Sequence, residues 1–261
     1  MNLVFASGVL VPQRLAGFDY FRDLPNKYPD ALFASVDTIG SVTERAQKLA
    51  AVMAAKFPGG AIHIVAHSMG GLDSRYLLAK NLQNLTHRVV SLSTISTPHG
   101  GSPLADLLTG QAGPLGFLGT KVVNLLSAEF PALKNRTGGF LDLTTKAAAR
   151  FDADNPPVAG VSYYPYAATA VSGHGSTLLL PAHFYTRLAG TTPEERENDG
   201  VVSLQSAAWP RALVEAPWDT DHFGQIGYDL DAKDWKTPFD YLDAYARVIQ
   251  RAEGSPLRAD A

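Results

Sequence analysis

Ala61-Ile62-His63-Ile64-Val65-Ala66-His67-Ser68-Met69-Gly70-Gly71 is the stretch from which the fold is read. Its first six residues are almost all apolar and follow the turn signal Pro58-Gly59-Gly60. Such a short run is how a strand covered on both faces of a parallel sheet reads. Gly71–Leu85 beyond it is a helix candidate. A strand passing into a helix through a tight turn centred on serine is the context of a nucleophile elbow. That turn needs small residues two before and two after the serine, so that neighbouring backbones approach without a Cβ clash. Gly70 meets the need, and Ala66 is still small. The N–H of Met69 then falls at the helix N-terminus, where unpaired donors and the helix dipole favour negative charge. One turn thus supplies an outward hydroxyl on Ser68 and an oxyanion donor on Met69. The motif alone recurs by chance; its place at the end of an Ile-His-Ile-Val strand gives it weight against an ordinary turn serine.

On either side the pattern continues. Leu3–Ala6 and Leu32–Val36 read as strands. Ser41-Val42-Thr43-Glu44 reads as a capping box, hydroxyl and carboxylate satisfying free N–H groups at a helix start. The helix it opens carries Ala46, Leu49, Ala50, Met53 and Phe57 at helical spacing. Arg88–Ile95 is a further strand, and the alternation predicts an α/β fold with a doubly wound, mostly parallel sheet. After Thr97 the rhythm breaks. Gly100–Arg150 holds no clear strand and carries loosely apolar helical stretches such as Val122–Phe130. A helical lid or cap insert is expected at about 100–150, within a single domain spanning 1–261. Whether it moves stays open. Val161–Ala167 and Arg211–Trp218 look like later strands. Thr237–Arg251 looks like a terminal helix, with Phe239, Leu242, Tyr245, Ala246 and Ile249 as its apolar stripe. A frayed tail is expected from Gly254.

Composition sets the boundaries. The 261 residues carry 22 Lys and Arg against 25 Asp and Glu, a formal charge of −3. Charged residues make up 18 %, below the roughly 25 % usual in globular domains. At 46 % hydrophobic the chain is not intrinsically disordered, and without a basic run it lacks a nucleic-acid footprint. Cys is 0, which excludes disulfides, thiol nucleophiles and Cys-ligated zinc. The longest stretch free of charged residues, Asn155–Thr186, is broken by Pro156, Pro157, Pro165, Gly173 and Gly175. A membrane span needs about 20 mostly apolar residues, so no transmembrane segment is expected. Met1–Gly8 reads as a strand entering a turn rather than a secretion leader. The compartment stays unknown: cytoplasmic, or secreted if a leader has been removed. Oligomeric state is not legible.

A serine alcohol needs a base to become a nucleophile near neutral pH. Seven histidines are available. His63 lies inside the buried strand, His67 adjoins the serine at a turn where neighbours point apart, and His87 precedes a strand. These read as structural or exposed. His99, His174 and His183 lie in loops and stay open. His222, in Trp218-Asp219-Thr220-Asp221-His222-Phe223-Gly224, stands between the expected strand Arg211–Trp218 and the last helix. Hydrolases with such an elbow run nucleophile, acid, base along the chain, which favours His222. The acid must orient the imidazole and stabilise its positive form. Asp199, in Asn198-Asp199-Gly200-Val201-Val202, is the choice: a carboxylate before glycine, in a sharp turn after an expected strand. A plain Asx turn is its bland reading. Asp219 and Asp221 are rivals, although Asp221 adjoins His222 and is badly placed to reach Nδ1.

Several motifs in order carry a wider likeness. They are Ala66-His67-Ser68-Met69-Gly70-Gly71-Leu72 with Arg75-Tyr76, then Ser96-Thr97-Pro98-His99-Gly100-Gly101-Ser102 with Ala105-Asp106. Ala148-Ala149-Arg150-Phe151, Asn198-Asp199-Gly200-Val201-Val202 and Asp221-His222-Phe223 follow. With these the chain resembles the bacterial triacylglycerol lipases of the α/β-hydrolase superfamily, from Leu3 to about Gly227. The resemblance implies an α/β-hydrolase fold, a lid in the Gly100–Phe140 region, and Ser68, Asp199 and His222 as nucleophile, acid and base. It implies a second oxyanion donor at the backbone N–H of Val9, in Ser7-Gly8-Val9, where the family's His-Gly pair has become Ser7-Gly8; Leu10 is the fallback. Many members bind Ca²⁺ near the catalytic histidine through an Asp two residues after it. Gly224 stands there, and calcium wants six to eight oxygen ligands, so no cofactor is expected. Asp229 and Asp231 lie nearby and read as a solvated acidic loop.

The expected activity is that of a carboxylic ester hydrolase acting through an acyl-enzyme. Its substrates would be lipid-like acyl esters, with a lipid–water interface as a possible partner. The insert's Leu104, Leu107, Leu108, Leu115, Phe117, Leu118, Leu125 and Leu126 suit an acyl chain or simply pack over the sheet. Leu10, Leu104, Leu107 and Phe117 are the candidate substrate contacts. The alternatives are an esterase for short-chain or polyester substrates, and a non-catalytic hydrolase-like module that binds an apolar ligand or a partner.

Overall fold

The computed structural model describes residues 1–9, 14–15, 18–37, 39–112, 138–170 and 175–254. Five strands form the main sheet: β1 (Asn2–Ala6), β2 (Leu32–Ala34), β3 (Ile62–His67), β4 (Val89–Ile95) and β5 (Ser162–Tyr166). Their order is β2-β1-β3-β4-β5, and every neighbouring pair is parallel. The sheet grows from β1 to one side and then crosses over to the other. The carboxyl ends of β1 and β3 therefore flank a topological switch point, where sheets of this kind place their ligands.

Every residue of β3 is buried, because helices cover both faces of the sheet. Alternate side chains feed two cores. Val4, Ala6, Ile62, Ile64 and Ala66 pack with Leu49, Met53 and Leu77 on one face. Leu3, Phe5, Val65 and Ile95 pack with Phe21, Tyr245 and Val248 on the other. The first face is covered by α1 (Val42–Lys56) and α2 (Gly70–Ala79). The capping box of α1 is complete: the Ser41 hydroxyl accepts from the Glu44 N–H while the Glu44 carboxylate accepts from the Ser41 N–H. The last helix, Tyr241–Glu253, covers the second face with Tyr241, Ala244, Tyr245, Val248, Ile249 and Ala252 buried.

Three sequence expectations change. The helix expected over Gly71–Leu85 ends at Ala79, because Asn81, Gln83 and Asn84 adopt left-handed backbone angles. The Asn81 side chain closes that turn on Thr86 and Asn84, and asparagine tolerates this conformation better than most residues. The terminal helix begins at Tyr241 rather than Thr237, since Asp240 caps it through the Asp243 N–H; Leu242 and Ala246 sit at the border of its buried face. Arg211–Trp218 is not a strand. It touches the β5 edge through Val214 and Trp218, with one isolated bridge from Trp218 to Ala168. Its residues are mostly exposed or half-buried, and Pro217 offers no N–H to a ladder.

Between β4 and β5 lie helices Pro103–Leu108, Gly138–Asp142 and Thr145–Asp154. The helical stretch expected at Val122–Phe130 and the expected tail after Gly254 lie outside the described residues. Among the described residues no helix is long and apolar enough to cross a membrane.

Candidate active site

Three loops meet above the carboxyl ends of β1 and β3. The turn after β3 holds Ser68 at φ 55°, tied back by its N–H to the carbonyl of Ile95 at 2.9 Å. A non-glycine residue in that region costs on the order of 1–3 kcal/mol and persists only where its surroundings enforce it. Here α2 enforces it, packing so close to the end of β1 that a Cβ on Gly70 would strike the Ala6 carbonyl. Gly8 has the same need on the other side. A Cβ there would lie 2.6 Å from the Tyr20 hydroxyl and 2.7 Å from Ser68 Cβ.

The Ser68 hydroxyl lies 3.0 Å from His222 Nε2, and His222 Nδ1 lies 2.8 Å from Asp199 Oδ2. All three side chains are buried. Asp199 Oδ1 accepts from the N–H groups of Val201 and Val202 at 2.9 and 2.8 Å, and Oδ2 also accepts from Gln225 Nε2 at 2.7 Å. Burial pushes this carboxyl up, but the His222 imidazole and the hydrogen bonds outweigh it and hold the pKa at about 2. Asp199 is therefore ionised near neutral pH. The His222 N–H donates to the Asp199 carbonyl at 3.0 Å, which stitches the two loops together. The short helix Pro193–Arg196, not a strand, precedes Asp199. The turn is closed instead by the Asn198 and Asp199 side chains on the N–H groups that follow them.

The rival carboxylate Asp221 faces elsewhere. It accepts from Ser176 N–H and Oγ at 2.7 and 2.8 Å, and from the N–H groups of Phe223 and Gly224 at 3.0 and 2.8 Å. Of the other histidines, His63 is buried on Ser91, and His87 is exposed. His99 is buried between Arg75 and Thr94, and His183 is half-buried on its helix. His174 lies outside the described residues. His67 departs from the expectation that it points away from the site. Its ring centroid is 4.6 Å from that of His222, and its Nδ1 is 2.8 Å from the Tyr20 hydroxyl.

Val9 lines the same cavity as Ser68. Among the described residues neither the Val9 nor the Met69 N–H makes a backbone hydrogen bond. Sequence reasoning missed the anchor of this loop. Arg45 donates to the Ser7 carbonyl at 2.7 Å and pairs with Asp73 at 2.8 Å, both side chains being essentially excluded from solvent. Burial pushes the Asp73 carboxyl up to about 6 against the pull of Arg45. The spacing Val42, Arg45, Leu49 along α1 was the available signal, because it puts a charge on the buried face.

A mostly apolar cavity of about 90 Å³ opens beside Ser68, walled by Val9, Leu104, Leu108, Phe140, Leu143 and Leu179 among others. Of the expected substrate contacts, Leu104 is on the wall. Leu107 is buried in the apolar cluster behind it. Leu10 and Phe117, with Leu115, Leu118, Leu125 and Leu126, lie outside the described residues.

Gly224 occupies the position at which the resemblance would place a calcium-binding Asp. A Cβ at Gly224 would collide with the Thr220 hydroxyl. Both Asp231 oxygens are taken by Thr177 N–H and Oγ1, at 2.6 and 2.7 Å, and Asp229 Oδ1 accepts from the Asp231 N–H. Among the described residues no three His, Cys, Asp or Glu side chains gather as metal ligands.

No protein-family model matches the chain. Over 223 residues it is 30 % identical to a Saccharomyces cerevisiae protein named triacylglycerol lipase 2, covering 82 % of this chain and 60 % of the relative. It is 32 % identical over 178 residues to a triacylglycerol lipase of Pseudarthrobacter phenanthrenivorans, covering 63 % and 50 %. The chain thus spans about half to three fifths of the curated relatives it matches. Among solved structures it superposes on the mature Bacillus licheniformis lipase BlEst2 with a TM-score of 0.68 at 20 % identity, over 96 % of this chain and 91 % of that one.

Proposed function

From the α/β-hydrolase fold that the chain shares with these lipases, we propose that it cleaves carboxylic esters by acyl transfer through Ser68. The observation that carries this reading is the unbroken line from Ser68 Oγ through His222 to Asp199, at 3.0 and 2.8 Å, beside an apolar cavity. His222 Nε2 takes the hydroxyl proton as Oγ attacks the ester carbonyl. Asp199 stabilises the imidazolium and fixes the tautomer that leaves Nε2 free. The N–H groups of Met69 and Val9 receive the oxyanion; losing one such donor costs about 10²–10³ in rate. The tetrahedral intermediate collapses, and the imidazolium returns its proton to the departing alcohol. Water then repeats the sequence on the acyl-enzyme and releases the acid. A non-catalytic module would have no use for a strained serine, a matched imidazole and an ionised buried carboxylate in register.

The acyl group is assigned to the cavity walled by Leu104, Leu108 and Phe140. Its lining is mainly aliphatic and aromatic, as an acyl chain requires. That lining suits the acyl group of a short-chain ester and of a lipid alike. A p-nitrophenyl ester series from acetate to palmitate, run beside emulsified tributyrin and triolein, separates the two. The esterase reading expects the rate to peak among the short-chain esters and to fall toward palmitate. The lipase reading expects a rise in rate once the substrate exceeds its solubility. We further propose that the His222 loop needs no cation, since Asp221 and Asp231 are committed to Ser176 and Thr177.

A further inference from the structure

Behind the line of Ser68, His222 and Asp199 lies a second set of buried polar groups that the mechanism above does not use. Gln225 and His67 are fully buried, and Tyr20 nearly so. Gln225 Nε2 donates to Asp199 Oδ2, the same oxygen that faces His222 Nδ1. Asp199 is ionised and can only accept, so the amide must turn its NH₂ toward Asp199 and its Oε1 away. That Oε1 is buried and has no hydrogen-bond partner, and the same holds for His67 Nε2. The two groups are neighbours: the Gln225 side chain and the His222 carbonyl favour the charged form of His67, although burial, with the charge of His222, keeps its pKa well below the ordinary value. A neutral imidazole presents one N–H and one bare nitrogen. The Nδ1 of that imidazole stands 2.8 Å from the Tyr20 hydroxyl.

We infer that Gln225 is a positioning residue that clamps the Asp199 carboxylate and so aligns His222 on Ser68. The inference rests on the catalytic reading proposed above. Rotation of the Asp199 carboxylate about its Cβ–Cγ bond would swing Oδ2 off His222 Nδ1. Val201 and Val202 hold Oδ1 from one side, and Gln225 holds Oδ2 from the other. The Gln225 donor also shares the charge of Oδ2. Its removal leaves His222 Nδ1 alone on Oδ2, so the imidazolium formed during catalysis faces a carboxylate charge that is no longer shared. The titratable groups facing His222 are Asp199 from its turn, His67 from the end of β3, and Asp221 beside it in the loop; substituting Gln225 removes none of them.

Gln225→Leu and Gln225→Glu test this, with Ser68→Ala as a parallel arm and p-nitrophenyl butyrate as substrate. Gln225→Leu removes the donor. Gln225→Glu keeps the shape, so it decides the matter if the leucine variant does not fold. Expected is a fall of about 10–100-fold in kcat, as for a misplacement of catalytic groups by less than 1 Å. KM should change less than about twofold, since Gln225 is not on the cavity wall. In the leucine variant the acid inflection of kcat/KM should move up. A folded Gln225 variant with kcat within twofold of the parent and an unmoved inflection overturns the inference. Full hydrolysis in Ser68→Ala overturns instead the catalytic reading on which it stands.

Discussion

Ser68 is strained, buried and bonded to an imidazole, and the proposed acyl transfer rests on that combination. Ser68→Ala is expected to lower ester hydrolysis by on the order of 10⁶ while leaving the thermal midpoint within a few degrees, as kcat and a melting curve on the same preparation would show. Asp199 gives a pH signature. Its folded pKa of about 2 lies below the ordinary carboxylate value near 3.8. A depressed acid contributes stability that is present above the unfolded pKa and lost as pH falls toward the folded one. The contribution is about 2 kcal/mol at 1.36 kcal/mol per unit. Asp199→Asn should therefore narrow its stability gap to the parent between pH 4 and 2, as read by urea midpoints; a gap constant over that window would contradict this. The raised Asp73 works the other way, losing its contribution as pH rises toward about 6. Arg45→Ala strands that carboxylate and frees the Ser7 carbonyl. It should cost about 3–5 kcal/mol, the usual penalty for breaking a buried pair. Urea unfolding measures it.

At the scale of elements, what was legible in the sequence was what is local. The capping box of α1 needs only Ser41 and Glu44, three residues apart, and both halves form. Ser41→Ala is expected to cost about 1 kcal/mol with kcat unchanged, since the cap touches no group of the site. The buried strand and its elbow were likewise written in one stretch of eleven residues, from Ala61 to Gly71. Arg211–Trp218 had strand composition but no place in the sheet, and the pattern of its side chains could not say that β5 would be met at only two points. The supporting groups of the site were illegible for the same reason. Tyr20 meets His67 across 47 residues, and Gln225 meets Asp199 across 26, so no window contains both partners. Ser68, Asp199 and His222 could be chosen because each sits in a recognisable local motif, although the strand expected before Asp199 is absent.

The whole molecule joins these parts through the switch point of one parallel sheet. The loop after β1 brings Val9 to the cavity wall, the turn after β3 carries Ser68, and loops after β5 bring Asp199 and His222 onto it. The His222 loop is fastened by carboxylates onto Ser176 and Thr177. Exhaustive EDTA treatment is therefore expected to leave both the melting temperature and ester turnover unchanged. A loss restored by added Ca²⁺ would show that a cation holds this loop after all. The arrangement as a whole is tested most directly by mapping the adduct of a fluorophosphonate on the intact chain by peptide mass spectrometry. A single adduct on the peptide bearing Ser68 is expected, absent in His222→Ala; modification elsewhere, or undiminished labelling of Ser68 without that imidazole, would contradict the account.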